Sequence, residues 1–139
     1  MKYENDWMAI RELSLKEINP IKKSMWLNRL GAMLREHYED EKANWCFKEA
    51  FRLNPANVNA LNLRAVMLLE RFNYLHGRQI LHQSLSIDPH YPETLRLLGV
   101  YYFNKGDFAN SKKYLNEALF LEPDNLQVQQ LLHSEAMMK

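Results

Sequence analysis

Apolar and polar residues alternate along most of this chain with the period of an α-helix. In six successive segments, apolar or small residues recur at helical spacing, so that each segment would place them on one face of a helix. The sequence therefore predicts an all-α protein. The recurring residues are Leu27, Leu30, Gly31 and Leu34; Ala43, Phe47, Ala50 and Leu53; Leu61, Ala65 and Leu68; Gly77, Leu81, Ser84 and Ile87; Leu95, Leu98, Gly99 and Tyr102; and Ser111, Leu115, Ala118 and Leu121.

A triplet of an aliphatic residue, a polar residue and a proline recurs at a nearly constant interval. The triplets end at Pro20, Pro55, Pro89 and Pro123, which are 35, 34 and 34 residues apart. Each follows a segment of helical period, where proline can end one helix and prepare the next. The chain is therefore predicted to be a series of helical hairpins, one to each interval.

The proline interval also predicts the organisation of the chain, which is one domain over residues 1–139. Asn5 or Asp6 is the predicted N-cap of the first helix, since these residue types accept hydrogen bonds from free backbone N–H groups. This first helix either caps the array as half of an incomplete unit or folds into a groove of its own or a neighbouring molecule. The predicted parts are an N-terminal capping helix (5–18), three hairpin repeats (24–57, 58–91 and 92–125) and a C-terminal capping helix (126–138).

The third hairpin carries the most complete pattern, with Leu98 before Gly99, a turn glycine at Gly106, aromatic Phe108 and small Ala118. With its period, this pattern resembles the tetratricopeptide repeat family, whose units are 34-residue helix-turn-helix pairs. The resemblance implies an α-α superhelix, a right-handed solenoid of antiparallel helix pairs. Small residues such as Gly31 and Gly99 are expected to let the two helices of a hairpin approach closely.

The second hairpin departs from this pattern at several positions. Arg64 stands where the other units have leucine, and Ser84 stands where they have alanine. Phe72 and Tyr38 occupy the turn position of Gly106, where a left-handed backbone would be harder to adopt for an aromatic residue than for glycine. Looser packing is expected in the second hairpin.

The resemblance implies that a partner binds on the concave surface lined by the first helix of each hairpin. The strip changes from polar to apolar along the array, which favours an apolar peptide or helix as the ligand. Two alternatives stay open: the N-terminal helix covers this strip, or the helix rotation differs by one position. The predicted groove residues are Asn28, Arg29, Arg35, Asn62, Leu63, Val66, Leu69, Arg96, Leu97, Val100 and Phe103.

Some members of the family hold a partner's C-terminal carboxylate with lysine, asparagine and arginine side chains of three first helices. Asn28 and Asn62 suit that set, but the first hairpin has no groove lysine, and Glu93 stands where a cation is needed. The sequence therefore disfavours a carboxylate clamp.

The overall charge of the chain gives no support to nucleic acid as a partner. Eighteen basic and seventeen acidic residues leave a net charge of +1, so no strong field attracts phosphate groups. No signal-peptide or membrane-spanning pattern is present, and the single cysteine, Cys46, fits a reducing compartment. We expect a cytoplasmic protein without membrane insertion.

Catalytic and metal-binding motifs are absent from the sequence, so we expect no enzyme activity, cofactor or metal. His76 and His82 are six positions apart and do not share a helix face, and Cys46 has no partner for a zinc site. The leading hypothesis is a non-enzymatic adaptor or small chaperone that binds a peptide or helical segment of another protein. The alternatives are a self-associating scaffold or homodimer, and a bacterial secretion or pilus-assembly chaperone, which is suggested by architecture alone.

Overall fold

The computed structural model describes the backbone of residues 2–138 and the side chains of residues 7–138. All regular structure in these residues is α-helical, which confirms the predicted all-α fold class. None of the described helices is both long enough and apolar enough to span a membrane. The helices are α1 (Lys2–Lys16), α2 (Pro20–Glu36), α3 (Asp40–Leu53), α4 (Val58–Glu70), α5 (Tyr74–Ile87), α6 (Pro92–Asn104), α7 (Phe108–Leu121), α8 (Leu126–Leu132) and α9 (Glu135–Met138).

The proline triplets mark helix boundaries, as the sequence indicated. The later three begin with Leu53, Ile87 and Leu121, which are the last residues of α3, α5 and α7. The first triplet differs, because Asn19 accepts a hydrogen bond from the backbone N–H of Ile21 at 2.9 Å and Pro20 is the first residue of α2. Proline suits this position because the first turn of a helix has no acceptor for its missing N–H.

The described residues form two compact units, one up to Ile80 and one from Leu81, so that the division falls within α5. In the first unit, α3 packs against both α2 and α4. Its core contains Leu27, Leu34, Phe47 and Ala50. A Cβ atom at Gly31 would lie 2.5 Å from Cε1 of Phe47, so glycine is what allows α3 to approach α2.

The N-terminal helix packs against α2, and its Trp7 and Ile10 lie partly buried against the core of the first unit. Two details of the prediction were wrong. The helix begins at Lys2, so Asn5 and Asp6 lie within it and neither is its N-cap; their side chains lie outside the described residues. The helix ends at Lys16 and not at the predicted Ile18, which is 94% exposed.

The half-buried Arg64 of α4 makes polar contacts where the other two hairpins have a buried leucine. Its Nε donates a hydrogen bond to Oδ1 of Asn44 in α3 at 2.6 Å, and its Nη2 lies 3.5 Å from Nε2 of His76 in α5. Burial lowers the pKa of this guanidinium. This arginine therefore links α4 to both neighbouring helices through an amide and an imidazole.

In the second unit, α6 and α7 form a hairpin in which Gly99 lies against Leu115, and α8 and α9 pack on α7. The predicted C-terminal helix over 126–138 is two helices, because the chain turns at Ser134. The hydroxyl of Ser134 donates to the carbonyl oxygen of Leu131 at 2.7 Å. The turn lets Met137 of α9 become buried.

The turns within the three hairpins share one backbone conformation. Tyr38, Phe72 and Gly106 have φ values of 60°, 66° and 79°, respectively. This left-handed region suits glycine and strains other residues by roughly 1–2 kcal/mol. The first two turns therefore adopt the geometry of the third at an energetic cost.

Candidate functional site

The polar groove residues predicted in the first unit differ in how accessible they are. Asn28 is 7% exposed and Asn62 is also buried, whereas Arg29 is exposed with its guanidinium 5.2 Å from the ring centre of Trp26. Arg35 pairs with Glu70, with 3.5 Å between Nε and Oε1. Of these predicted contacts, Arg29 presents the most accessible side chain.

The aliphatic residues predicted for the groove in the first unit are partly buried by their own unit. Leu63 packs against the core, and the side chain of Leu69 lies beside Gly77, where an added Cβ would be 2.9 Å from Cδ2 of Leu69. Val66 is also half-buried. Only the remaining surface of these residues is open to a partner.

In the second unit, Arg96 is held in place by two neighbours. Its Nε donates to Oε2 of Glu93 at 3.0 Å and its Nη1 donates to Oε1 of Gln127 at 2.7 Å. Leu97 and Val100 are half-buried. Phe103 is half-buried as well, and it packs edge to face on Phe108, with 5.6 Å between ring centres.

A recess of about 410 Å³ brings Asn28 and Arg29 together with residues that the sequence analysis did not select. Met25 and Ile21 belong to the same face of α2, one and two turns before Arg29, respectively, and both are more than half exposed. Helical spacing counted backwards from Arg29 would have identified them. The other lining residues are Asn54, Asn57 and Asn59.

The side-chain amide of Asn28, a lining residue of this recess, carries a buried acceptor without a donor among the described residues. Oδ1 is buried and accepts no hydrogen bond from any residue in the described part of the chain. A buried acceptor left in this state costs roughly 1–3 kcal/mol, so a donor from a bound molecule would stabilise it. The recess therefore combines an apolar edge, several amides, a cation and an acceptor without a donor.

Comparisons with known proteins bear on the fold. The sequence model of the tetratricopeptide repeat matches residues 92–125, the third predicted hairpin. No curated protein sequence matches the chain at a significant level. The family match thus covers one of the three predicted repeats.

Solved structures similar to this chain include a crystal structure of MamA, with a TM-score of 0.73 and 13% identity over 94% of this chain and 74% of that one. The first tetratricopeptide repeat domain of Spaghetti (RPAP3), bound to the HSP90 peptide SRMEEVD, has a TM-score of 0.70 and 17% identity over 78% and 86% of the two chains.

The second such domain of human RPAP3, in complex with the HSP70 peptide SGPTIEEVD, has a TM-score of 0.69 and 21% identity over 81% and 94%. At these identities the likeness concerns the fold alone. Together with the sequence match, it confirms the predicted resemblance to the tetratricopeptide repeat family.

Proposed function

Because the chain has the tetratricopeptide repeat fold, we propose that it is a non-enzymatic adaptor or small chaperone. It binds a peptide or helical segment of another protein on the face presented by the first helices of its hairpins. The proposal is supported by the similar structures that were solved with bound peptides. It rests on the chemistry of this chain's own recess.

The observation that carries the proposal is the buried Oδ1 of Asn28, which has no donor among the described residues. A backbone N–H of a bound segment could donate a hydrogen bond to this oxygen. That bond would remove the free-energy cost of the unsatisfied acceptor. Met25 and Ile21 border the same recess and would cover apolar side chains of that segment. Methionine is well suited to this because its flexible side chain adapts to different partners.

In the second unit, the predicted residues Leu97, Val100 and Phe103 stay in the proposal as apolar contacts. All three are half-buried and retain some accessible surface. Their burial by a partner would contribute on the order of 25 cal/mol per Å² of apolar area. These residues favour an apolar segment as the ligand in the second unit, and polar contacts such as that of Asn28 set the register of a segment bound in the first unit.

An acidic C-terminal tail does not fit this proposal well. The carboxylate of Glu93 engages Arg96, so that the predicted groove cation of the second unit is already neutralised. Arg35 is likewise paired with Glu70. A partner carboxylate would have to compete with both ion pairs, which disfavours the clamp.

Selection from a random peptide library, followed by fluorescence anisotropy of the selected peptides, tests the proposal. Asn28→Ala is expected to weaken binding roughly tenfold, because it removes the acceptor. Met25→Glu and the pair Leu97→Glu with Val100→Glu are expected to weaken it more. Leu75→Glu is the matched control. Leu75 is 61% exposed, close to the 54% of Met25, and it lies in α5, the second helix of its hairpin, outside the proposed binding face.

The proposal fails if the selected peptides bind all variants equally, or if only Leu75→Glu weakens binding. Circular dichroism of each variant separates lost binding from lost helicity.

A second candidate function is self-association as a homodimer or scaffold. It is favoured by the exposed apolar residues Leu15, Ile18, Ile21 and Met25 near the junction of α1 and α2. Light scattering over a concentration series distinguishes it, because a monomer at every concentration rules it out.

A secretion or pilus-assembly chaperone is a narrower form of the leading proposal. The lone cysteine is compatible with the cytoplasm as its location.

A further inference from the structure

A cleft of about 750 Å³ lies in the first unit between α1 and the hairpin of α2 and α3. The buried side chains of Leu27, Leu30 and Leu34 form part of its lining, and the indoles of Trp7 and Trp45 also border it. Ligand-binding pockets commonly have volumes of roughly 300–1,000 Å³ and mainly apolar walls. The cleft shares no lining residue with the recess at Asn28.

Cys46 contributes to the same lining and reports on its polarity. Burial raises the pKa of this thiol to about 12, which indicates that water stabilises a thiolate poorly there. The exposed Leu15 of α1 also borders the cleft, so the part of the cleft that is open to solvent has apolar surface as well. An aliphatic chain placed among these groups would be removed from water.

Trp7, which lines the cleft, carries a polar group without a partner among the described residues. The Nε1 atom of Trp7 is buried and donates to no acceptor within the described part of the chain. An indole N–H is a donor only, so the group that satisfies it must be an acceptor. A carboxylate or carbonyl oxygen of a bound molecule would fill this role.

Two cations flank the same indole. The guanidinium of Arg11 lies 5.6 Å from the ring centre of Trp7, and the ammonium of Lys42 lies 5.3 Å from it. Both side chains also line the cleft. An acceptor bound at Nε1 would therefore lie close to two positive charges, which favours an anion over a neutral group.

The remaining charges of the cleft do not reverse this preference. Lys23 adds a further cation, and Glu41 and Glu49 are the acidic residues of the lining. Glu49 is engaged by Arg52, whose Nε donates to Oε2 at 3.0 Å. Lys42 also lies 4.0 Å from the carboxylate of Glu39. Among the described lining residues, the cations outnumber the carboxylates by three to two.

We propose that this cleft binds an aliphatic carboxylate of the fatty acid class. Its hydrocarbon chain lies among the leucines of α2, and its carboxylate accepts the hydrogen bond of Trp7 Nε1 between Arg11 and Lys42. Burial of the hydrocarbon chain contributes affinity in proportion to the apolar area removed from water, and the two cations select the anionic head group.

The tryptophans that border the cleft provide the assay. The Trp26→Phe variant retains Trp7 and Trp45 as its tryptophans. Its fluorescence is titrated with decanoate, decanol and decyltrimethylammonium, each below its micelle concentration. Decanoate is expected to change the emission in a saturable manner, to bind more tightly than decanol, and to bind far more tightly than the cation.

Charge reversal tests the head-group site. Arg11→Glu with Lys42→Glu is expected to weaken decanoate binding roughly tenfold or more, since two attractive charges become repulsive. Lys48→Glu is the matched control, because Lys48 is an exposed lysine of the same helix as Lys42 but does not line the cleft. It should leave the affinity for decanoate unchanged, and circular dichroism should show equal helicity in all variants.

Three results would overturn the proposal: no saturable response to decanoate, equal affinity for decanoate and decanol, or equal loss with Lys48→Glu. A response to selected peptides that bind at Trp7, with none to decanoate, would assign the cleft to a protein segment instead.

Discussion

The guanidinium of Arg71 forms two hydrogen bonds with the carboxylate of Asp40, at 2.9 Å from Nε to Oδ2 and at 3.0 Å from Nη2 to Oδ1. Nη2 also donates to the carbonyl oxygen of Arg35 at 2.9 Å, and the guanidinium lies 4.6 Å from the ring centre of Tyr38. Arg71 follows α4, whereas Asp40 begins α3. One side chain thus joins the turn of the second hairpin to that of the first.

Arg71→Lys is expected to lower the free energy of unfolding by about 1 kcal/mol. Lysine keeps the charge but cannot form the paired hydrogen bonds of a guanidinium, and partial exposure of the pair reduces the loss. Urea-induced unfolding measures the change. Arg52→Lys is the control, because Arg52 pairs with Glu49 within one helix and is more exposed. An equal loss in both variants would contradict the role assigned to Arg71.

Phe72→Gly is expected to raise the free energy of unfolding by about 0.5–1 kcal/mol. It relieves the left-handed strain at φ 66°, and part of this gain is offset by the larger backbone entropy of glycine in the unfolded chain. Little packing is lost, since Phe72 is 77% exposed.

Gly106→Ala is the complementary change at the equivalent turn and should lower stability. A Cβ atom there meets nothing within 4 Å, so the variant reports the backbone alone. If Gly106→Ala proves neutral in urea unfolding, backbone strain does not explain these turns.

Ser84→Ala is expected to raise the free energy of unfolding by about 1 kcal/mol. The hydroxyl of Ser84 is fully buried and makes no hydrogen bond to any described residue, and the other two hairpins have alanine at this position. Ser111→Ala is the matched control, because Ser111 is equally buried but donates to the carbonyl oxygen of Gly99 at 2.7 Å. In both thermal and urea unfolding, Ser84→Ala should be more stable than the wild type and Ser111→Ala should be less stable.

Cys46 makes stability depend on pH in the alkaline range. Burial raises the pKa of its thiol in the folded protein from 9.0 to about 12. Below pH 9 the thiol is protonated in both states and contributes no pH dependence. Between pH 9 and pH 12 the unfolded chain loses this proton first, so rising pH favours unfolding. Urea titrations should therefore show a steeper alkaline loss of stability for the wild type than for Cys46→Ala.

The same burial should protect Cys46 from alkylation, because the thiolate is the reactive form. At pH 8 the folded protein should react slowly with iodoacetamide, and reaction should become fast once urea unfolds the chain. Rapid alkylation of the folded protein would show that the thiol is accessible.

The sequence alone determined the helical period, the hairpin unit and most helix boundaries. These depend on local interactions: proline cannot continue a helix, and asparagine or aspartate side chains bond the nearest free N–H groups, as Asn19 and Asp107 do. The close approach at Gly31 and Gly99 was also predictable, because small residues at a repeated core position leave room for the facing helix.

The candidate site was only partly predictable. Asn28 and Arg29 were selected by their positions on α2, and the structure adds Ile21 and Met25 from the same face. Nothing in the order of residues indicates that Oδ1 of Asn28 accepts no hydrogen bond from a described residue, because that depends on which groups neighbouring helices bring close. The start of α1 at Lys2 and the break at Ser134 were missed for a similar reason, since helix ends respond to packing as well as to caps.

Only the tertiary structure decided the contacts between residues far apart in the chain. Arg71 and Asp40 are 31 positions apart, and no motif connects them. The cleft at Trp7 likewise depends on how far α1 stands from α2 and α3. Periodicity determines which face of a helix is buried, but the spacing between packed helices depends on the shapes of all side chains that meet there. The repeat was therefore predictable from local chemistry, whereas its binding surfaces required the assembled fold.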